Sequence, residues 1–220
     1  MKKRPLLRSS SLIICCLILL SQCLTGQTIE KWYVNMPDIL NPTMTKQNRM
    51  ELLEYHKAGQ GDSIANRFGH PAFLVKLDTA QQHIVVKNTP TSTFEMKVFK
   101  QDSTSIVGII RTVCAPVCIS TVEFYDTAWH SVPLVFTMPK AIEWLDLKSV
   151  PAAKLDTVWV KHLLEMSFIT LTYSDKDQVI VAKSNTLDFL SEEDRKVIAP
   201  YMSDKAILFE LKGQTWQRKL

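Results

Sequence analysis

Beyond residue 26 the sequence holds two cysteines, Cys114 and Cys118, separated by Ala115-Pro116-Val117. In a straight strand residues four apart lie about 13 Å from each other, too far for a sulfur bridge. Pro116 suits a turn, and folding the segment back would bring the thiols together. Redox catalysis by a thiol pair uses a two-residue spacer with the first thiol at a helix start, and neither feature is present. A zinc site needs further ligands, and no second cysteine pair or close histidine pair supplies them. The residues leave open a structural disulfide, two buried free thiols, or a redox or metal role.

The second chemistry-bearing stretch is Phe124-Tyr125-Asp126-Thr127-Ala128-Trp129-His130. Aromatic rings beside an acid and a histidine at a strand end make a recognition edge for a peptide or a sugar, because rings bury area at low entropic cost. Tyr125, Asp126, Trp129 and His130 are therefore the candidate binding residues. The competing reading is a strand whose rings enter the core before the chain turns. Glu123 with Asp126 and His130 forms the dispersed acid-base set that a hydrolase would need. The remaining histidines (His56, His70, His83 and His162) are scattered and read as surface or capping residues. No Gly-x-Ser-x-Gly elbow, Gly-rich phosphate loop or cofactor motif occurs, and no metal set is expected.

These residues have to be placed in a compartment and on a scaffold. Residues 1–26 read as an export signal. Lys2, Lys3, Arg4 and Arg8 give a basic start, an apolar run follows from Leu12 to Leu20, and Gly26 offers a small residue for cleavage. Cys23, after Leu20-Ser21-Gln22, gives an alternative lipoprotein box, with Gln22 the mismatch. The leader holds four of the 26 basic residues and none of the 22 acids, so the rest balances and the net +4 belongs to the leader. A neutral chain lacks the field that gathers phosphates, which argues against nucleic acid. The leader's apolar run is shorter than the about 20 residues a membrane span requires, and nothing later approaches that.

The pattern predicts an extended lead-in over 32–42, broken by Pro37 and Pro42, then a helix over about 44–58 that stops at Gly59. From Ala72 the period becomes two. Short β-branched and aromatic runs at 72–77, 83–87, 93–99, 106–113 and 119–125 predict strands, with connectors too short for parallel crossovers. Ile106-Val107-Gly108-Ile109-Ile110 lacks alternation, so both of its faces should be covered. Residues 131–160, punctuated by Pro133, Pro139 and Pro151, read as a crossing segment with one short strand near 134–137. Strands at 168–173 and 179–183, a helix from Glu192 to about Tyr201 capped by Ser191, and a hairpin of 206–211 with 215–218 complete the chain. An echo at an offset of 95 residues (Phe73 with Phe168, Val85-Val86 with Ile180-Val181, Phe94 with Phe189) fits either two hairpins of similar pattern or a duplicated unit.

Several segments together resemble a known family. They are Glu51-Leu52-Leu53-Glu54-Tyr55-His56-Lys57-Ala58-Gly59, Asn66-Arg67-Phe68-Gly69 and Ser92-Thr93-Phe94-Glu95-Met96-Lys97-Val98-Phe99-Lys100. Thr112-Val113-Cys114-Ala115-Pro116, Phe124-Tyr125-Asp126 and Asp194-Arg195-Lys196-Val197-Ile198-Ala199-Pro200-Tyr201 continue the match. They resemble a domain-of-unknown-function family of secreted Bacteroidales proteins. The resemblance spans nearly all of the chain after the leader. It implies one full-length family domain and a Gram-negative envelope as the setting, and it assigns no catalytic residue.

The reading is an α+β protein, mainly antiparallel sheet in meanders and hairpins with two principal helices. Residues 27–220 form one domain or two intimately packed halves, about 27–140 and 141–220. The expected function is a non-catalytic binding module in the periplasm or at the cell surface, with an envelope protein or glycan as partner. Exposed sheet edges that accept a partner strand are its simplest device. The alternative is a secreted hydrolase of an envelope or dietary polymer.

Overall fold

The computed structural model describes residues 27–101, 104–146, 156–175 and 178–219. The export-signal and lipoprotein readings, with Cys15, Cys16 and Cys23, fall outside these residues. Two antiparallel sheets dominate an α+β fold. The six-stranded sheet is an unbroken meander: β1 (Ser63–Ala65), β2 (Pro71–Asp78), β3 (His83–Thr89), β4 (Ser92–Gln101), β5 (Thr104–Cys114) and β6 (Cys118–Tyr125) lie in chain order. The four-stranded sheet holds β7 (Ile169–Tyr173), β8 (Val179–Ser184), β9 (Ile207–Lys212) and β10 (Thr215–Arg218), again in chain order.

The start of the lead-in expected to be extended over 32–42 belongs to a helix, α1 (Ile29–Asn35), and Asp38–Leu40 form a 3-10 turn. Ile29, Trp32, Tyr33 and Met36 recur at helical spacing and are all buried, making one apolar stripe. Pro37 follows the last turn, so it stops the helix rather than forbidding it. The predicted second helix is α2 (Lys46–Lys57). Thr45 caps it: its hydroxyl accepts from Asn48 N at 3.3 Å, and Asn48 Oδ1 accepts from Thr45 N at 3.1 Å. Gly59 ends it at φ 65°, where a side chain would be strained.

Arg49 of α2 has no exposed side-chain surface. Its Nη1 donates to Met44 O at 2.5 Å and lies 3.0 Å from Asp38 Oδ1. Its Nη2 donates to Val34 O at 3.2 Å and to Met36 O. One guanidinium thus gathers the carbonyls that the end of α1 and the following loop leave without partners. Burial pushes its pKa down, and Asp38 and then Tyr33 push it back up.

The helices cover one face of the larger sheet, where Ile84, Val86, Met96, Val107 and Ile109 form a core with α1 and α2. The opposite face packs on the smaller sheet through Phe99, Ile106, Ile110 and Phe124 against Leu171, Tyr173, Phe209 and Trp216. The non-alternating run of β5 is explained by this layering: residues 106–110 are all buried, with Val107 and Ile109 facing the helices and Ile106 and Ile110 facing the smaller sheet.

The short strand expected near 134–137 does not form. Val135 makes a single parallel bridge to Thr215, its N–H donating to Gln214 O and its carbonyl accepting from Trp216 N, each at 2.8 Å. Pro133 removes one donor from the segment, which leaves a strap along β10 rather than a ladder. A helix that sequence reasoning did not anticipate follows, α3 (Thr157–Leu163), capped by Asp156 Oδ1 on Val158 N at 2.8 Å. The other predicted helix is α4 (Glu192–Ile198), continued by a 3-10 turn over Ala199–Tyr201. Ser191 Oγ caps it on Asp194 N at 3.1 Å. Buried Val160, Leu164 and Ile198 join α3 and α4 in a third cluster.

Several sheet edges are occupied. The outward N–H groups of β7 donate into side chains of the larger sheet, Leu171 N to Ser120 Oγ at 3.0 Å and Tyr173 N to Glu95 Oε1 at 2.7 Å. On β6, Phe124 O accepts from Val132 N at 3.0 Å and Cys118 O from Asn185 Nδ2 at 3.2 Å. An incoming strand would have to displace these bonds, which weakens the edge-pairing device expected from the strand content.

Candidate functional site

Sequence reasoning places the site at the end of β6. Asp126 there closes a turn on itself. Its Oδ1 accepts from Ala128 N at 2.8 Å and His130 N at 2.9 Å, and its Oδ2 lies 3.2 Å from His130 Nδ1. These bonds, chiefly the one from the His130 backbone, hold its carboxyl below the usual value. Trp129, at φ 66°, turns inward and meets Trp32 edge-on with ring centroids 5.8 Å apart. Tyr125 is 9% exposed and its hydroxyl donates to Glu123 Oε2 at 2.8 Å. Arg111 Nη1 donates to the same oxygen at 2.5 Å, while Arg111 Nε and Nη2 hold Leu40 O at 3.0 and 2.9 Å.

Tyr125, Asp126, Trp129 and His130 are thus neighbours in one turn, with His130 mostly exposed and Trp129 committed to packing. Glu123 belongs to a separate arrangement. Burial pushes its carboxyl up, but the hydrogen bonds from Arg111 and Tyr125, with the Arg111 charge, outweigh this and hold it below 4.5. A carboxyl with a lowered folded pKa stabilises the fold above its ordinary value, and that contribution is lost as pH falls through the folded value. Acid titration of the wild type should therefore show a stability loss beginning near pH 4.5. Glu123→Gln should flatten part of it, as read by urea midpoints at successive pH values. An identical acid limb in the variant would mean that Arg111 and Tyr125 do not hold this carboxylate.

The cysteines sit at the tip of the β5–β6 hairpin. Cys114 and Cys118 are directly opposite in register and are joined in a disulfide, with Cα atoms 3.9 Å apart. Val113 and Ile119, the next pair down the hairpin, are 50% and 46% exposed.

A cluster that sequence reasoning missed lies where the two sheets meet. Directly opposed residues of an antiparallel sheet point the same way. One row across the larger sheet therefore carries Lys76, Val85, Glu95 and Ile110, and a parallel row carries Phe73, Lys87, Thr93, Thr112 and Ser120. The smaller sheet covers Ile110 but stops at β7, leaving Val85 and Thr93 beside its edge and Phe73 two strands beyond Thr93 on the same face. The step between them is a groove of about 410 Å³. Val85 and Thr93 lie on its floor, Thr170 and Thr172 of β7 on its wall, and His83 and Glu95 at its charged end.

At that end His83 Nε2 lies 2.8 Å from Glu95 Oε1, both residues almost fully buried. The same oxygen accepts Tyr173 N, so one carboxylate joins β3, β4 and β7. Lys97 Nζ donates to Ser174 O at 2.6 Å, and burial followed by the Lys76 charge pushes this ammonium down. Lys76 pairs with Asp175, and that contact holds the Asp175 carboxyl below its usual value. Opposite charges are paired across this corner, as burial requires of Glu95, while His83 Nδ1 has no hydrogen-bond partner among the described residues. Among the described residues no group of three or more His, Cys, Asp or Glu is placed to hold a metal ion. No described helix is long and apolar enough to cross a membrane.

Residues 21–216 match a family profile described as a protein of unknown function, DUF3256. The chain belongs to that family. The DUF3256 fold also resembles a solved structure, a domain of an uncharacterized protein from Porphyromonas gingivalis W83, with a TM-score of 0.72. The two are 18% identical, and the alignment covers 87% of this chain and 98% of the other. At that identity the likeness concerns the DUF3256 architecture alone. No curated protein matches the chain.

Proposed function

We propose that this DUF3256 protein is an exported, non-catalytic binding module of the periplasm or cell surface, and that its binding surface is the groove between the sheets. The basic and apolar start of the sequence supports export, and the Cys114–Cys118 bridge suits an oxidising compartment. The observation that carries the binding reading is the step itself. A sheet face continues past the edge of its covering layer, and its concave corner is lined by side chains mounted on paired strands. Strands fix side-chain positions better than loops, so such a corner is preorganised.

The hydrolase reading draws no comparable support. The acids it would use are engaged elsewhere, Asp126 with its own turn and Glu123 with Arg111 and Tyr125. The binding reading is tested by affinity capture from native envelope fractions with wild type and with Thr172→Trp, which fills the groove from an exposed position. A component that co-purifies in proportion to wild type and is lost with the variant is the expected result. Equal capture by both proteins would remove the groove from the function. A wild-type protein that stays in the cytosol with its first 26 residues intact would overturn export.

A further inference from the structure

The binding reading leaves the ligand's chemistry open, and His83 narrows it. Its side chain is 2% exposed and its Nε2 is engaged by Glu95. Its Nδ1 is buried without a hydrogen-bond partner among the described residues. The nearest carboxylate oxygen, Asp175 Oδ1, lies 4.0 Å away, beyond hydrogen-bond reach. A buried polar atom left unpaired costs free energy that a bound group can recover. In the tautomer that donates Nε2–H to the Glu95 carboxylate, Nδ1 carries a lone pair. His83 Nδ1 is then an acceptor without a donor, and the exposed Asp175 carboxylate beside it, paired with Lys76 through Oδ1, has acceptor capacity to spare.

Building on the groove as the binding surface, we infer that its ligand is a neutral saccharide, and that a vicinal diol of the sugar bridges His83 Nδ1 and Asp175.

Two adjacent hydroxyls match the acceptor pair: one hydrogen goes to the imidazole nitrogen and the other to the carboxylate. Lys76, already beside Asp175, is placed to donate to a sugar oxygen. The charges of the corner balance without His83: Lys76 pairs with Asp175, and the Lys97 ammonium attracts Glu95. A ligand therefore needs no charge of its own, and burying an unmatched one would be costly. The threonine hydroxyls of the floor and wall can donate or accept, as a sugar's hydroxyls do. Phe73 supplies an apolar surface on the same sheet face. It is 45% exposed and two strands across from Thr93 in one row, where a ring can pack on the C–H face of a pyranose.

The test is an amide-shift titration of the full exported chain with maltohexaose, cellohexaose, chitohexaose and mannohexaose, each to about 10 mM, which detects dissociation constants into the millimolar range. The expected result is saturable shifts at Val85, Thr93 and Thr172 with at least one sugar. Asp175→Ala and Phe73→Ala, both at exposed positions, should each weaken that binding about tenfold or more while leaving the rest of the spectrum unchanged. His83→Gln is more disruptive, because it changes a buried side chain that packs against Glu95 and Tyr173, and the two exposed variants decide the matter without it. Shifts confined to another surface overturn the saccharide site, as does binding that both exposed variants retain. The absence of shifts with all four sugars, together with capture of a protein that Thr172→Trp abolishes, overturns the saccharide and leaves the binding module standing. If no sugar binds and Thr172→Trp changes nothing in capture, both readings fall.

Discussion

Gly108→Ala should cost the fold about 2–3 kcal/mol, and Tyr173→Phe should return part of that loss. Gly108 lies in β5 where Tyr173 of β7 crosses the inter-sheet core. A Cβ at this position would overlap the Tyr173 hydroxyl and stand 2.9 Å from Cζ and 3.1 Å from Phe99 Cε1. The ring cannot simply withdraw, because the Tyr173 backbone is held by Glu95 on one side and paired with Ile180 on the other. Removing glycine would gain roughly 0.4–1 kcal/mol by restricting the unfolded chain. Overpacking costs about 1–3 kcal/mol and occasionally more, so the clash wins. The Tyr173 hydroxyl is buried with no partner among the described residues, so Tyr173→Phe alone should be neutral or slightly stabilising. Urea denaturation of both single variants and the double variant closes the cycle. If the two changes add with no coupling, the hydroxyl is not what excludes the alanine.

Arg49→Met should cost about 3 kcal/mol. Methionine fills similar volume and removes a charge that is expensive to bury, so two effects oppose the loss. Against them, the carbonyls of Val34, Met36 and Met44 lose their donor together. A buried acceptor left unpaired costs about 1–3 kcal/mol, and three of them outweigh the relief of desolvation even if the loop relaxes. Lysine is no substitute, since one ammonium cannot hold carbonyls that the planar fork reaches from two nitrogens; Arg49→Lys should recover less than half. Hydrogen exchange should quicken over residues 29–44 before the central strands respond. An Arg49→Met protein as stable as wild type would mean that those carbonyls find other partners and that the guanidinium only occupies space.

Local pattern made much of this fold legible. The strand runs stand out because β-branched residues and period-two alternation coincide, and the central place of β5 follows from its lost alternation. Residue type alone points to Ser191 as one cap and narrows the other to Thr43 or Thr45, of which Thr45 makes the bond. The misread elements have different causes. Over 32–42 the prolines drew attention from the spacing of Ile29, Trp32, Tyr33 and Met36, although proline after a last turn is compatible with a helix before it. At the groove the clue was in plain view: Thr93, Glu95 and Lys97 alternate with Phe94, Met96 and Val98 in β4. A polar face on a strand ordinarily means solvent. Here a second sheet lies over that face, and its position is set by contacts 51 to 78 residues away in sequence, such as Ser120 with Leu171 and Glu95 with Tyr173. Local periodicity cannot report such a partner, so His83 passed for a surface histidine.

The same two hydrogen bonds make the margin of the smaller sheet depend on the larger one. Each donor on β7 has its acceptor on a strand made much earlier in the chain, so the smaller sheet cannot protect its own margin. Until the meander is in place, that margin is an adhesive surface for any extended peptide nearby. Late-made sequence is thus chaperoned by early-made sequence within one polypeptide, and a fragment beginning after residue 140 would emerge with its sticky side bare.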